Sequence, residues 1–146
     1  PVLRSRFTAG AAVKKATLRV LGLGFFHCYI NGQRVSTDEF APAYTDYHNR
    51  PDMVLSYPLN DVFSHRIHVM KYDITKYLRE GENVLGVMVG GGFYHQLLRK
   101  GEGNVSYGKI KLCYKIDFED GTNILSDANT LYKRGFFINS LMLLIE

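Results

Sequence analysis

The sequence contains little cysteine and no long apolar segment, and both shortages narrow what the protein can be. Its two cysteines, Cys28 and Cys113, are predicted to lie on different kinds of strand face, so we expect no disulfide between them. The longest uncharged apolar-rich run, residues 20–30, falls far short of the roughly 20 residues that cross a bilayer. The sequence therefore predicts neither a disulfide scaffold nor a membrane-spanning helix.

The sequence also shows no concentration of positive charge, although its net charge is +4. Its basic residues stand in short pairs: Lys14 with Lys15, Arg99 with Lys100, and Lys133 with Arg134. No stripe of Lys and Arg on one face can be recognised, and a solvated surface explains the charge better than a nucleic-acid site does. Nucleic acid is therefore not an expected partner.

The length and composition suit one domain. The chain has 146 residues, of which 46% are hydrophobic and 22% charged, and it shows no repeat, low-complexity segment or linker. We therefore expect residues 1–146 to form a single module. No signal peptide is recognisable, yet the chain starts and stops abruptly, so we expect it to be a piece of a larger multidomain protein.

Alternation of apolar and polar residues predicts most of the secondary structure. The clearest strand is 109–118, KIKLCYKIDF, which has one apolar and one wet face. A turn at Asp120–Gly121 predicts a hairpin to 123–126, and Asn31–Gly32 predicts another across 29–35. The second hairpin places Phe26, Cys28 and Ile30 on the core face.

One segment, 73–83, has the signals of a short helical turn. Asp73 can accept hydrogen bonds from its free N–H groups, Leu78 is its apolar anchor, and Gly81 is its left-handed stop. Other strands are predicted at 66–71, 83–89 and around 136–141. This succession of short strands and turns predicts an all-β sandwich with one short helical turn.

The glycine-rich stretch GGGFYH, residues 90–95, raises the question of a phosphate-binding loop. Such a loop needs spaced glycines, a following helix and usually a lysine, and this stretch has none of them. We therefore expect the glycines to let the chain turn sharply after a buried strand. That turn would bring Phe93 and Tyr94 close to the loop that contains TDY.

No constellation of catalytic residues can be assembled from the sequence. His65 and His68 would point to opposite faces of a strand, and no serine stands in a nucleophile elbow. Asp117 and Glu119 are carboxylates on a wet strand face with no cleft between them. We interpret these residues as solvated surface groups.

The loop APAYTDYHNRPD, residues 41–52, concentrates residues that suit a sugar. Tyrosine rings can cover the apolar C–H face of a sugar, and Asp46 and Asn49 can bond vicinal hydroxyls. The same oxygen atoms could hold calcium. A loop whose tyrosines only plug the end of the sandwich remains an equal alternative.

The order of four motifs, YINGQRV, FAPAYTDYHNR, YDITKYLREGENVLGV and GGGFYHQ, resembles the N-terminal β-sandwich of bacterial alpha-L-rhamnosidases. The first and third motifs also occur in sugar-binding domains of beta-galactosidase-type enzymes. The second and fourth motifs narrow the resemblance to the rhamnosidase-like domain. It implies a jelly-roll sandwich of the galactose-binding-domain-like kind. The sequence departs from the family in two ways. It contains no tryptophan, and Tyr44 and Phe93 stand where family members usually have one. Family members also usually have an acidic residue or Asn near the position of Gly91.

The resemblance implies a site at one end of the sandwich. The candidate sugar-binding residues are Tyr44, Asp46, Tyr47, Asn49, Phe93, Tyr94 and His95. Asp46 and Asn49 are also the candidate calcium ligands, and no other cofactor is expected.

The resemblance further implies a non-catalytic accessory domain of an alpha-L-rhamnosidase, since the family's catalytic carboxylates lie on a separate helical domain. The expected partners are a rhamnose-containing oligosaccharide and that helical domain of the same parent chain. The parent is expected in the periplasm or outside the cell. The alternatives are a purely structural packing module and the sugar-binding domain of a beta-galactosidase-type enzyme.

Overall fold

The computed structural model describes residues 1–11, 13–43, 47, 67–95, 107–128 and 130–133. The regular secondary structure of these residues consists of strands and one 3₁₀ turn, Thr75–Tyr77. The strands are β1 (Val2–Ala9), β2 (Ala16–Leu23), β3 (Phe25–Ile30), β4 (Gln33–Arg34), β5 (Val69–Asp73), β6 (Gly81–Gly90), β7 (Lys111–Phe118), β8 (Asn123–Leu125) and β9 (Leu131–Lys133).

The strands make two antiparallel sheets, which confirms the predicted all-β sandwich. One sheet has the order β4-β3-β6-β1-β9, and the other has the order β5-β2-β7-β8. The strand predicted near 136–141 lies outside the described residues. No helix in the described part of the chain is long and apolar enough to cross a membrane.

Alternate side chains of the central strands fill the space between the sheets. Leu18 in β2, Ile116 in β7 and Leu85 in β6 are almost fully buried. Phe26, Cys28 and Ile30 are buried too, as the alternation predicts. Burying these apolar side chains supplies the main favourable term in folding.

β1 is a strand that the sequence analysis missed. Its eight residues pair with β6 from Val2↔Met88 to Ala9↔Gly81. Only Phe7 and Ala9 are buried in β1, and Ser5 takes an inward position where an apolar residue would make the alternation recognisable. Pairing with β6, more than an apolar pattern of its own, therefore defines this strand.

Both predicted hairpins are present. Asn31 and Gly32 adopt positive φ angles of 50° and 83°, as a two-residue turn between β3 and β4 requires. The β7–β8 hairpin pairs Asp117 with Asn123.

The 3₁₀ turn also begins as predicted, because Asp73 Oδ1 accepts a hydrogen bond from the Thr75 N–H at 2.9 Å. Hydrogen bonds from Thr75 lower the pKa of Asp73. Gly81 has the predicted left-handed φ of 83°, but it does not stop the turn: the turn already ends at Leu78, whose backbone is extended, and Gly81 is the first residue of β6. The predicted anchor, Leu78, is partly buried and packs against the core, and the sequence analysis missed Ile74, which is fully buried beside the turn.

A fully buried asparagine, Asn83, joins this turn to the sheet. Its Oδ1 accepts hydrogen bonds from Asn31 Nδ2 at 2.8 Å and from the Arg79 N–H at 3.0 Å. Its Nδ2 donates to the carbonyl oxygens of Arg79 and Gly81 at 2.7 and 2.9 Å. Asn31 extends the network, donating to the Tyr77 carbonyl and accepting from the Val84 N–H. A buried amide with every bond satisfied fixes one arrangement of the chain.

We predict that Asn83→Ala lowers the free energy of unfolding by about 3 kcal/mol, because it leaves several buried polar groups without partners. Urea denaturation followed by circular dichroism measures this change. Asn123→Ala is the matched control, since Asn123 is an exposed strand residue. We expect the control to change stability by less than about 0.5 kcal/mol. Equal midpoints for the two variants would contradict the structural role of Asn83.

The two cysteines should differ in reactivity. Both are free thiols; Cys28 is buried and Cys113 is exposed, which confirms that they lie on different faces. Burial raises the pKa of Cys28 to about 12, so almost no thiolate forms there at pH 8. We predict one fast-reacting thiol in native protein treated with a disulfide reagent, and two in urea. Cys113→Ser should abolish the fast reaction; a fast reaction that survives in this variant would contradict the burial of Cys28.

Candidate functional site

The glycine stretch after β6 forms a tight turn, as the sequence analysis predicts. The His95 N–H donates a hydrogen bond to the Gly91 carbonyl oxygen at 3.0 Å, and Gly92 has a φ of 52°. A Cβ atom at Gly91 would lie 2.5 Å from the His95 carbonyl oxygen, and one at Gly24 would lie 2.3 Å from the Gly90 carbonyl oxygen. Three stretches of backbone thus meet at distances that admit no side chain at these positions.

On one side of this turn, three tyrosines pack against each other. The Tyr47 ring meets the Tyr94 ring edge to face at 5.0 Å and lies 5.2 Å from the Tyr107 ring. Tyr94 and Tyr107 stack at 5.9 Å, with an angle of 25° between their planes. The turn therefore brings Tyr94 to Tyr47, as predicted, but Tyr94 is only 8% exposed and has no free face for a ligand.

On the other side of the turn lies a phenylalanine cluster, which we define as Phe25, Phe40 and Phe93. The Phe25 ring lies 5.7 Å from Phe40 and 5.6 Å from Phe93, edge to face in both cases. Phe40 is 71% exposed and Phe93 is 42% exposed. The ring of Phe93 contacts that of Phe25, whereas the ring of Tyr94 contacts those of Tyr47 and Tyr107.

Polar contacts hold Phe40 in place. Arg34 donates to Glu39 Oε1 at 2.9 Å and to the Asp38 carbonyl oxygen at 2.6 Å. On the far side of Phe40, the Phe26 N–H donates to the Ala41 carbonyl oxygen at 3.0 Å. The hydrogen bond from Arg34 lowers the pKa of Glu39. The loop presenting Phe40 is thereby fixed at both ends.

His95, a predicted site residue, makes a hydrogen bond from the turn to the segment at Gly108. Its Nδ1 lies 2.9 Å from the Gly108 carbonyl oxygen. A carbonyl oxygen can only accept, so Nδ1 carries the proton in this contact. The Tyr107 N–H donates to the Tyr94 carbonyl oxygen at 3.0 Å, which ties the same two segments together.

An open groove of about 590 Å³ lies along the side of the sandwich where β4 and β5 are the edge strands. Its lining includes Tyr72, Tyr77, Lys76, Asp38 and Glu39. Asp38 and Glu39 are neighbours in the chain, and Arg34 binds one of them. They therefore do not form a carboxylate pair that faces across a cleft.

Three predicted site residues, Tyr44, Asp46 and Asn49, lie outside the described residues. The proposed calcium pair, Asp46 and Asn49, therefore stays a prediction. Within the described part of the chain, no group of three or more His, Cys, Asp or Glu side chains could hold a metal ion. His68 is exposed and His65 lies outside the described residues.

The sequence analysis missed Phe25, Phe40 and Tyr107. Phe25 was recognisable as the residue before the core-facing Phe26, so alternation places it on the outer face. Phe40 and Tyr107 stand in irregular segments that carry no periodic signal. Only the folded chain brings them to the turn after β6.

Comparison with known proteins places this geometry in a family. Residues 11–142 match the family described as alpha-L-rhamnosidase N-terminal domain. An alpha-L-rhamnosidase of Formosa agariphila is 28% identical over 126 residues, which cover 82% of this chain and 12% of that protein. One of Streptomyces avermitilis is 28% identical over 120 residues, covering 76% of this chain and 9% of that protein.

Solved structures agree with the sequence match. The crystal structure of native alpha-L-rhamnosidase from Aspergillus terreus superposes with a TM-score of 0.68 and 26% identity, covering 88% of this chain and 14% of that one. The Streptomyces avermitilis enzyme, complexed with L-rhamnose, gives a TM-score of 0.66 and 27% identity over 88% of this chain and 12% of that one. This chain spans only about an eighth of such proteins. It belongs to the alpha-L-rhamnosidase N-terminal domain family.

Proposed function

We propose that this chain is a non-catalytic accessory domain of an alpha-L-rhamnosidase and that it helps to recognise rhamnose-containing glycans. The observation that carries the proposal is the phenylalanine cluster, in which two exposed rings flank Phe25 at one end of the sandwich. Rhamnose is a 6-deoxy sugar with a methyl group, so it offers apolar C–H surface to such rings. Residues 1–146 would form one module of the larger enzyme.

The arrangement of the rings suits an open, shallow site. Phe93 and Phe40 both pack edge to face on Phe25, and both side chains are partly exposed to solvent. Because phenylalanine has no polar group, orientation of the sugar would depend on hydrogen bonds from nearby groups. Asp46 and Asn49, which lie outside the described residues, are the proposed source, with or without calcium.

In this proposal catalysis lies outside the domain, and several of its described carboxyl groups already bind neighbouring side chains. Glycoside hydrolysis needs a carboxylic acid with a raised pKa opposite a second carboxylate. Hydrogen bonds to neighbouring side chains lower the pKa of Glu39, Asp73 and Asp120. Asp117, Glu39 and Glu82 lie in ion pairs with basic side chains. Hydrolysis would then belong to another domain of an enzyme that acts outside the cytoplasm.

A second candidate function is structural packing on the rest of the enzyme. It is favoured by the tyrosines, which pack on each other, and by an exposed apolar cluster of the kind that often marks a contact between domains. In this case Phe40 and Phe93 would contact the catalytic domain rather than a sugar. The two candidates differ in whether the separate chain binds a rhamnoside.

We predict that the chain binds methyl alpha-L-rhamnoside and that Phe93→Ala weakens binding about five- to tenfold, because it removes one exposed ring. Isothermal titration calorimetry, with and without calcium, measures the dissociation constant. Leu131→Ala is the control, since Leu131 is an exposed apolar residue of β9.

Two outcomes would count against sugar recognition. Wild-type chain that gives no heat with the rhamnoside would contradict the site, as would equal binding by the wild type and Phe93→Ala. A different outcome is self-association of the wild type, which can be tested in a double variant that combines Phe40→Ala with Phe93→Ala. If the double variant no longer associates, structural packing is the correct function.

A further inference from the structure

The outer face of the four-stranded sheet carries a row of basic side chains that is invisible in the sequence. Strand register places Arg19 of β2 directly opposite Lys71 of β5 and also opposite Lys115 of β7. Neighbouring strands lie about 4.8 Å apart, so three positive charges stand side by side across the sheet. No basic stripe is apparent along the chain because its members come from three separate strands.

This basic row is only partly neutralised. Asp117 contacts both Arg19 and Lys115, the latter at 2.7 Å. Asp73 stands on the same strand face as Lys71, two residues further along β5, but its Oδ1 accepts hydrogen bonds from Thr75. Like charges directly opposite each other destabilise a sheet. The row therefore keeps an electrostatic cost that a bound anion would relieve.

The charges of the whole outer face confirm the imbalance. On the described strands of this sheet, the outward-facing charged residues are Arg19, Lys71, Lys111, Lys115, Asp73 and Asp117. Four cations against two carboxylates leave an excess of two positive charges. The face is thus more basic per residue than the chain as a whole.

An apolar row runs beside the basic one. Register places Leu21 opposite Val69 and opposite Cys113. On each strand these residues stand two positions away from the member of the basic row. Val69 is 47% exposed, and Cys113 is exposed as well. A ligand lying across the strands would meet apolar side chains on one side and cations on the other.

From these two rows we infer that the outer face of the four-stranded sheet binds a polysaccharide that carries carboxylates, such as one containing uronic acids. The apolar row would contact the C–H surface of the sugar rings, and the basic row would pair with the carboxylates. The inference that the ligand is a glycan rests on the proposed function. This face is distinct from the phenylalanine cluster at the end of the sandwich.

A polyanion of another class fits the face less well. Single-stranded nucleic acid is usually bound by aromatic side chains on which bases stack, combined with basic groups. The outward-facing positions of β2, β5, β7 and β8 in the described structure carry no aromatic residue. Aliphatic side chains next to cations suit the C–H faces and carboxylates of an acidic sugar better.

The test compares hexagalacturonate with its fully methyl-esterified form, which keeps the sugar backbone and loses the charges. Calorimetry on the full chain at low and at physiological salt gives the dissociation constants. We expect the free acid to bind at least tenfold more tightly than the ester, and added salt to weaken it. Lys71→Gln with Lys115→Gln should weaken binding of the acid about tenfold.

Lys133→Gln is the matched control, an exposed strand lysine of the other sheet, and it should change binding less than twofold. Equal binding of acid and ester, no binding of the acid, or an equal loss in Lys133→Gln would overturn the inference. So would a single-stranded oligonucleotide that binds as tightly through Lys71 and Lys115. Phe93→Ala should leave hexagalacturonate binding unchanged, so the failure of the rhamnoside site and the failure of this face are separate results.

Discussion

The buried amide of Asn83 is the constraint on which the rest of the structure depends. Its four hydrogen bonds, together with those of Asn31, join the β3–β4 turn and the segment after the 3₁₀ turn to the start of β6. β6 lies at the centre of its sheet and pairs with both β1 and β3. A slip of one residue would turn every side chain of such a strand to the opposite face. The network therefore fixes the register of the strand whose far end carries the candidate site.

That far end is organised by backbone that passes too close for side chains. Gly24, Gly90 and Gly91 meet where the β2–β3 junction crosses the turn after β6. The turn sends Phe93 to Phe25 and Tyr94 to the tyrosines. In this chain Gly91 could not be replaced by an acidic residue without moving the His95 carbonyl. The shape of the turn thus favours glycine at position 91 itself.

Local signals made much of the fold predictable. The alternation in β7, the Asn31–Gly32 turn and the hydrogen bond that Asp73 accepts at the 3₁₀ turn each depend on neighbours in the chain, and each is confirmed. β1 escaped prediction because Ser5 interrupts its apolar side and its pairing with β6 is a long-range property. The same reason hides the candidate surfaces: Phe40 meets Phe93, and Lys71 meets Arg19, only after strands from distant parts of the chain have paired.

The domain thus joins a rigid sandwich to an end that presents exposed aromatic rings, in a family whose relatives are alpha-L-rhamnosidases. The central claim is that the phenylalanine cluster, and not the buried tyrosines, meets the sugar. Aromatic NMR spectra of the labelled chain during titration with L-rhamnose test this claim most directly. We predict that the ring signals of Phe40 and Phe93 shift while those of Tyr94 stay unchanged. Shifts at Tyr94 with none at Phe40 and Phe93, or no shifts at all, would contradict it.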